Sequence, residues 1–244
     1  MTARGRPAYI RPTTPLDPTL ISWPDTDEVR RLIHQVRCCE ITCFRTDGPP
    51  YGDPTWGFFI FVTAYFGNTT RDRIAQAARN FIEVMRRALL DITAPAYAEE
   101  ALKRLKLDVI EDGEALDGAS DDRVRKEFRA QIRALDLSDN YGEEDFFPLP
   151  ARNRTCPAFD EATVAMLAGI AFPNNPQDDR KALEGKLVKV IDACWSQSSV
   201  NIYSSYRGWG SCHMKSLAAL YMNITVESGG HRIIKDMHPM NGVV

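Results

Sequence analysis

The stretch from Trp56 to Phe66 constrains the fold more than any other part of this 244-residue chain. It is rich in aromatic and β-branched residues, and its apolar side chains occupy odd and even positions alike. Alternate residues of a strand point to opposite sides of a sheet, so a strand with this pattern is typical of the sheet interior, where both faces are covered. The stretch therefore predicts a central β-strand.

Three further strands are predicted, over residues 105–111, 154–160 and 186–195. Helices with apolar residues at spacings of three and four separate them. An irregular loop is expected over residues 196–210, followed by a last helix that Ser211 caps. The order of strand, helix, strand, helix, repeated with about four strands, predicts the α+β class, as a two-layer sandwich of ferredoxin-like character.

The two ends of the chain have the composition of irregular segments. Five prolines in the first 24 residues remove backbone donors, so we expect an extended arm over residues 1–24. Residues 227–244 are polar and contain glycine, which predicts a loosely held tail. The expected organisation is therefore a single α+β domain over residues 25–226 between an arm and a tail.

Composition excludes several classes of protein. The longest mainly apolar run is about half the length of a membrane helix, and the amino-terminal residues lack the apolar core of a signal peptide, so we expect a cytoplasmic protein without membrane contact. The six cysteines contain no CxxC pair, so no zinc site is expected. No nucleotide-binding or metal-binding motif is present in the sequence, and we expect no cofactor.

Two acidic segments are candidates for chemistry. Asp108, Glu111, Asp112 and Glu114 crowd the end of a predicted strand, where one desolvated carboxyl could act as an acid beside a carboxylate base. The segment 117–122, Asp-Gly-Ala-Ser-Asp-Asp, opens a helix and suits a cation or guanidinium better than a phosphate. The alternatives remain open: exposed acids at a strand end, and helix capping by Ser120.

Residues 203–213 combine aromatic rings and an arginine with serine, cysteine and histidine, which suits a charged or planar ligand. We expect strand ends and the loops after them to meet in one cleft, where acids hold a cation and rings stack on the substrate. The alternative for Trp209 is a hydrophobic plug between loop and helix. The predicted catalytic residues are Asp117, Asp192 and His213, and the predicted substrate-binding residues are Tyr206, Arg207 and Trp209.

Charge is uneven along the chain, whose net charge is −3. Residues 98–145 contain 15 acidic and 8 basic side chains, a balance of −7. This acidic middle is either a docking face for a cationic substrate or a solvated pair of helices and loops.

Four segments together resemble a large, mostly uncharacterised group of fungal (ascomycete) proteins. These are the Trp-Gly-Phe strand at residue 56, Leu-Asp-Gly-Ala-Ser at 116–120, Asp192, and Gly-Trp at 208–209. The resemblance spans residues 55–222, and the chain departs from it at Phe61 and Val62, where the group carries tyrosine and arginine. The resemblance assigns no activity to any residue.

Two functions follow as hypotheses. The first is an enzyme of fungal specialised metabolism, of transferase type, acting on a small polar or cationic substrate. Its most specific form is tRNA-dependent synthesis of arginine-containing cyclodipeptides by aminoacyl transfer, with tRNA as partner. That form would use six basic residues for the tRNA phosphates: Arg152, Arg154, Lys186, Lys189, Arg207 and Lys215. The second hypothesis is a non-catalytic module that binds a ligand or a protein.

Overall fold

The computed structural model describes residues 29–33, 55–65, 70–134, 151–172, 183–193, 195 and 207–226. The predicted arm over 1–24 and the tail over 227–244 lie outside these residues. The elements are, in order, α1 (29–33), β1 (Trp56–Val62), α2 (Arg71–Ile92), α3 (Pro95–Lys103), β2 (Leu105–Ile110), α4 (Gly113–Leu116), α5 (Asp121–Ala134), α6 (Ala151–Arg154), β3 (Thr155–Phe159), α7 (Glu161–Ala168), β4 (Leu187–Asp192), β5 (Trp209–His213), a 3-10 turn (Met214–Ser216) and α8 (Leu217–Val226).

The five strands form one mixed sheet in the order β2-β1-β3-β4-β5. β1 runs parallel to β2 and β3, whereas β4 is antiparallel to β3 and β5 is antiparallel to β4. We call the edge at which β1, β2 and β3 end the carboxyl edge, and the opposite edge the amino edge. β4 therefore starts at the carboxyl edge and ends at the amino edge.

Helices cover both faces of the sheet. Phe58, Ile60 and Val62 of β1 pack into one core cluster together with buried residues of α2, α7 and α8, and we call this the first face. Phe59 and Phe61 point the other way, each with its ring about 5.9 Å from that of Phe128 in α5, and this is the second face. The apolar residues at odd and even positions of β1 thus fill two separate cores.

The α+β class is confirmed, with two differences in detail. The described sheet has five strands rather than about four, and its helices form layers on both faces rather than one. The extra strand is β5, which lies where the end of a loop and the cap of a helix were expected. Ser211 is a residue of this strand, paired with Lys189, and the helical turn starts only at Met214. Gly210 and Ser211 give the segment no apolar alternation, so its pairing with β4 depends on the backbone.

Among the described residues, no helix has both the length and the apolar character that crossing a membrane requires.

Candidate functional site

The predicted site residues fall at two opposite edges of the sheet. Asp192 is the last residue of β4 and Trp209 pairs with Ile191, so both lie at the amino edge. Arg207 lies two residues before Trp209 in the chain. Asp117 follows β2 and α4 at the carboxyl edge, and His213 ends β5 at that same edge.

The structure therefore does not bring these residues into one cleft. Strands of five to seven residues separate Asp117 from Asp192, which corresponds to roughly 17–23 Å at the usual rise per residue. His213 shares the edge with Asp117 but lies three strands away from β1, about 14 Å at normal strand spacing. Tyr206 lies outside the described residues.

The carboxyl edge holds a compact polar group around Tyr65, three residues beyond β1. The backbone N–H of Tyr65 donates to Oδ1 of Asp117 at 2.8 Å, and the Tyr65 hydroxyl accepts from the backbone N–H of Asp112 at 2.7 Å. The N–H of Gly118 donates to the carbonyl of Thr63 at 3.0 Å. The loops after β1 and β2 are thereby held against each other.

Three carboxylates act electrostatically on this one phenol. The pKa of Tyr65 is raised to about 12, mainly by burial; the hydrogen bond from the N–H of Asp112 lowers it, and the charges of Glu111, Asp112 and Asp117 add smaller increases. Arg71 provides a cation beside these acids. Its Nε lies 3.9 Å from Oε2 of Glu111, which is a long ion pair, and its side chain is 91% exposed. An ion pair of that kind contributes little, so Arg71 offsets the charge of Glu111 only weakly.

Several acids at this edge also have structural roles. Asp112 caps α4 by accepting from the N–H of Ala115 at 3.1 Å, and Asp160 caps α7 by accepting from Thr163 at 2.8 Å. Ser120 accepts from the N–H of Arg123 at 3.3 Å, so the capping interpretation of Ser120 is confirmed. Asp117, by contrast, uses its carboxylate to hold Tyr65, not to cap α5.

Tyr65 was not among the site residues predicted from the sequence. The residue lies just after the strongest strand of the chain, where β1 ends at the carboxyl edge, and open α/β sheets bind ligands outside the carboxyl ends of their strands. That position was the available indication. The acids at 111 and 112 were identified, but not the phenol on which they converge.

The amino edge is organised by Arg125, which is buried in α5. Its Nε donates to the carbonyl of Asp192 at 3.0 Å, and its Nη2 donates to the carbonyls of Arg207 at 2.9 Å and Gly208 at 3.0 Å. Its guanidinium also lies 4.5 Å from the ring centre of Trp195. Arg125 therefore fixes the backbone where β4 ends and β5 begins.

Trp209 is half-buried and packs against the core of the second face. The ammonium of Lys189 lies 4.5 Å from its ring centre and 2.5 Å from Oδ1 of Asp121. Arg207 is exposed, whereas Asp192 is buried, with 1% of its surface exposed. The contacts of Trp209 are those of a packed side chain with a cation over its ring.

In the described ranges, no group of three or more histidine, cysteine, aspartate or glutamate side chains could hold a metal ion. Comparison of the chain with protein-family models, with curated proteins and with solved structures finds no match.

Proposed function

We propose that the protein is an enzyme that acts on a small cationic substrate, with a guanidinium or ammonium group bound at the carboxyl edge of the sheet. The observation that carries this proposal is the grouping of acids around Tyr65: Asp117 accepts from its backbone N–H, the N–H of Asp112 donates to its hydroxyl, and the charge of Glu111 also acts on that phenol. Carboxylates are the natural partners of guanidinium groups, because an ionised acceptor strengthens each hydrogen bond.

The hydrogen bonds around Tyr65 suit this role. Asp117 uses Oδ1 for the backbone of Tyr65, and its second carboxylate oxygen would accept from the substrate cation. The hydroxyl oxygen of Tyr65 accepts from Asp112, so the hydroxyl proton is the part that can donate to a substrate. With its pKa raised to about 12, the phenol keeps that proton throughout the neutral range.

A transferase reaction is the proposed chemistry. A neutral phenol beside the bound cation can donate a hydrogen bond to an acyl oxygen as negative charge develops there, which is the usual way to stabilise acyl transfer. The carboxylates would position the substrate by its cationic end. Neither described thiol, Cys156 or Cys212, is activated as a nucleophile, because burial raises the pKa of both.

Aminoacyl transfer from tRNA is the most specific form of this proposal. Arg152 does not suit contact with phosphates, because it is buried and donates to the carbonyl of Lys106 and to Asp108. Lys189 already pairs with Asp121. Arg207 and Lys215 are exposed, and this form of the proposal would depend on them.

Binding of L-arginine measured by calorimetry tests the cation site, with citrulline as the neutral isostere. Asp117→Asn removes the charge yet keeps an amide oxygen for the backbone of Tyr65, and we expect at least a tenfold loss of arginine affinity, about 1.4 kcal/mol. Glu99→Gln is the matched control, since Glu99 of α3 is exposed and pairs with Arg86 of α2, away from the carboxyl edge. Equal affinity for arginine and citrulline would contradict the proposal.

Turnover separates the enzyme from a binding module. Expression of the full chain in a producing host should yield a new metabolite, and Tyr65→Phe should abolish it while arginine binding persists. Arginine binding with no metabolite and with a stable partner in pull-downs would favour the non-catalytic module instead.

A further inference from the structure

β2 is an outer strand of the sheet. Its neighbour is β1, and no other strand of the described residues pairs with it. All six residues of β2 are half-buried, whereas residues 210–212 of β5, the strand at the opposite border of the sheet, are buried. The outward backbone groups of an accessible outer strand are a template for pairing with another chain.

The ladder with β1 determines which residues of β2 offer their backbone outward. The N–H of Trp56 donates to the carbonyl of Arg104 at 3.0 Å, at the start of this ladder. Backbone groups alternate in direction along a strand, so every second residue from Arg104 onwards turns them towards β1. The residues between these offer their N–H and C=O groups to the outer side: Leu105, Leu107 and Val109.

The side chains of β2 divide into an apolar row and a charged row. Those of the three outward residues lie on the first face, where they pack at the border of its core. Successive side chains of a strand alternate, so Lys106 and Asp108 lie on the second face. There Arg152 contacts Oδ2 of Asp108, and its guanidinium lies 4.4 Å from the ring centre of Phe59.

The charges on the two sides of Leu107 have opposite signs. Lys103 and Lys106 precede Leu107 by four residues and one residue, and Asp108 and Glu111 follow it at the same intervals. Antiparallel pairing of two copies about Leu107 would place Lys106 opposite the partner's Asp108. It would also bring Lys103 to the end of the pair that carries the partner's Glu111. The segment is therefore complementary in charge to a second copy of itself.

We propose that two copies of this chain associate through β2, antiparallel about Leu107, so that their five-stranded sheets become continuous. The contact is isologous, the usual form of a two-fold dimer. Opposite charges and apolar side chains that face each other across antiparallel strands stabilise such a pair. The association is independent of the proposed function, because it depends on the backbone of β2 and on Lys106 and Asp108, which lie outside the group around Tyr65.

Neighbouring registers of the same pair are less favourable. Pairing about Lys106 would place two lysines opposite each other, and pairing about Asp108 would oppose two aspartates, and like charges in these positions are destabilising. Lys106 has a further interaction within its own chain, and Arg152 accompanies Asp108. Both contacts are the same in every register, so Lys106 and Asp108 favour the register about Leu107.

Sedimentation equilibrium of the full chain, from micromolar to millimolar concentration, tests the association. We expect the mass to rise from 27.5 kDa to twice that value. Lys106→Glu would place an acid opposite the partner's Asp108 at both symmetry-related positions and should weaken dimerisation at least tenfold, with Lys106→Met in between. Lys126→Glu makes the same charge change at an exposed position of α5 and should dimerise as the unmodified protein does. A monomer at all concentrations, or unchanged dimerisation of Lys106→Glu, would overturn the proposal.

Cross-linking tests the register. Leu107 would lie opposite the partner's Leu107, so Leu107→Cys should bring two thiols within reach of a short bismaleimide linker. Leu105→Cys is the matched control, because Leu105 would lie opposite the partner's Val109, which leaves the two introduced thiols about 14 Å apart. We expect Leu107→Cys alone to form a covalent dimer above the level that the unmodified protein shows. Equal cross-linking of the two variants, or none in either, would overturn the proposed pairing about Leu107.

Discussion

Gly57 and Gly118 both have backbone φ angles that L-residues rarely adopt, +131° and +59°, but their surroundings differ. A Cβ on Gly57 would lie 2.2 Å from the carbonyl oxygen of Lys106 in the neighbouring strand, whereas nothing lies within 4 Å of a Cβ on Gly118. A side chain at Gly118 would therefore meet only a conformational penalty, whereas one at Gly57 would also clash with the neighbouring strand.

We predict that Gly118→Ala costs about 1–2 kcal/mol, the usual penalty of the left-handed region. Gly57→Ala should cost considerably more, because β2 has to move away from β1 to admit the methyl group. Urea unfolding of both variants measures the difference. Similar losses at the two positions would show that the contact with Lys106 is unimportant.

Tyr65 offers a spectroscopic prediction. Its raised pKa means that the phenolate forms only near pH 12, later than for an ordinary tyrosine at 10.0. The difference in absorbance at 295 nm between the unmodified protein and Tyr65→Phe should therefore be absent at pH 10.5 and emerge towards pH 12. A difference that develops around pH 10 would mean that neither burial nor the three carboxylates act on this phenol.

At the scale of elements, Arg125 connects α5 to the β4–β5 connection through three backbone carbonyls. Arg125→Met should cost roughly 3 kcal/mol or more, since it leaves buried carbonyl groups without donors. Lys126→Met is the matched control on the same helix, because Lys126 is exposed, and surface changes of this kind usually stay within about 0.5 kcal/mol. Chemical denaturation compares the two, and equal losses would contradict the role of Arg125.

Element prediction from the sequence succeeded where local pattern and tertiary environment agree. β1 is apolar at odd and even positions, and it is the strand covered on both faces. β5 was missed because Gly210 and Ser211 carry no strand pattern, and only pairing with β4 makes the segment extended. The predicted helix cap at Ser211 was wrong for the same reason.

At the scale of the whole molecule, strand direction decided what the sequence could not. Asp117 and Asp192 each follow or end a strand, which made one shared cleft a reasonable prediction. Local pattern does not reveal that β4 runs antiparallel to β3, and that reversal carries Asp192 to the amino edge. Asp117 and the acids near Tyr65 could be identified from sequence, but the position of Tyr65 between them required the arrangement of the strands in the sheet.

The whole molecule should also lose stability in alkaline solution, and the sign follows from two buried thiols and the half-buried phenol of Tyr65. Burial raises the pKa of the Cys156 and Cys212 thiols from an ordinary 9.0, that of Cys212 to about 12, and Tyr65 likewise rises from 10.0 to about 12. Above pH 9 the unfolded chain releases these protons while the folded chain keeps them, so the folded state binds more protons and its stability falls as pH rises. Each thiol contributes about 1.4 kcal/mol per pH unit above pH 9, and Tyr65 joins above pH 10.

Urea unfolding between pH 7 and pH 10.5 under reducing conditions measures this slope. In the double variant Cys156→Ala and Cys212→Ala, the free energy of unfolding should be lower throughout because of the cavities, yet its decline above pH 9 should be shallower by up to about 2.7 kcal/mol per pH unit. Parallel curves for the two proteins would mean that these thiols titrate alike in the folded and unfolded chain, contrary to their burial.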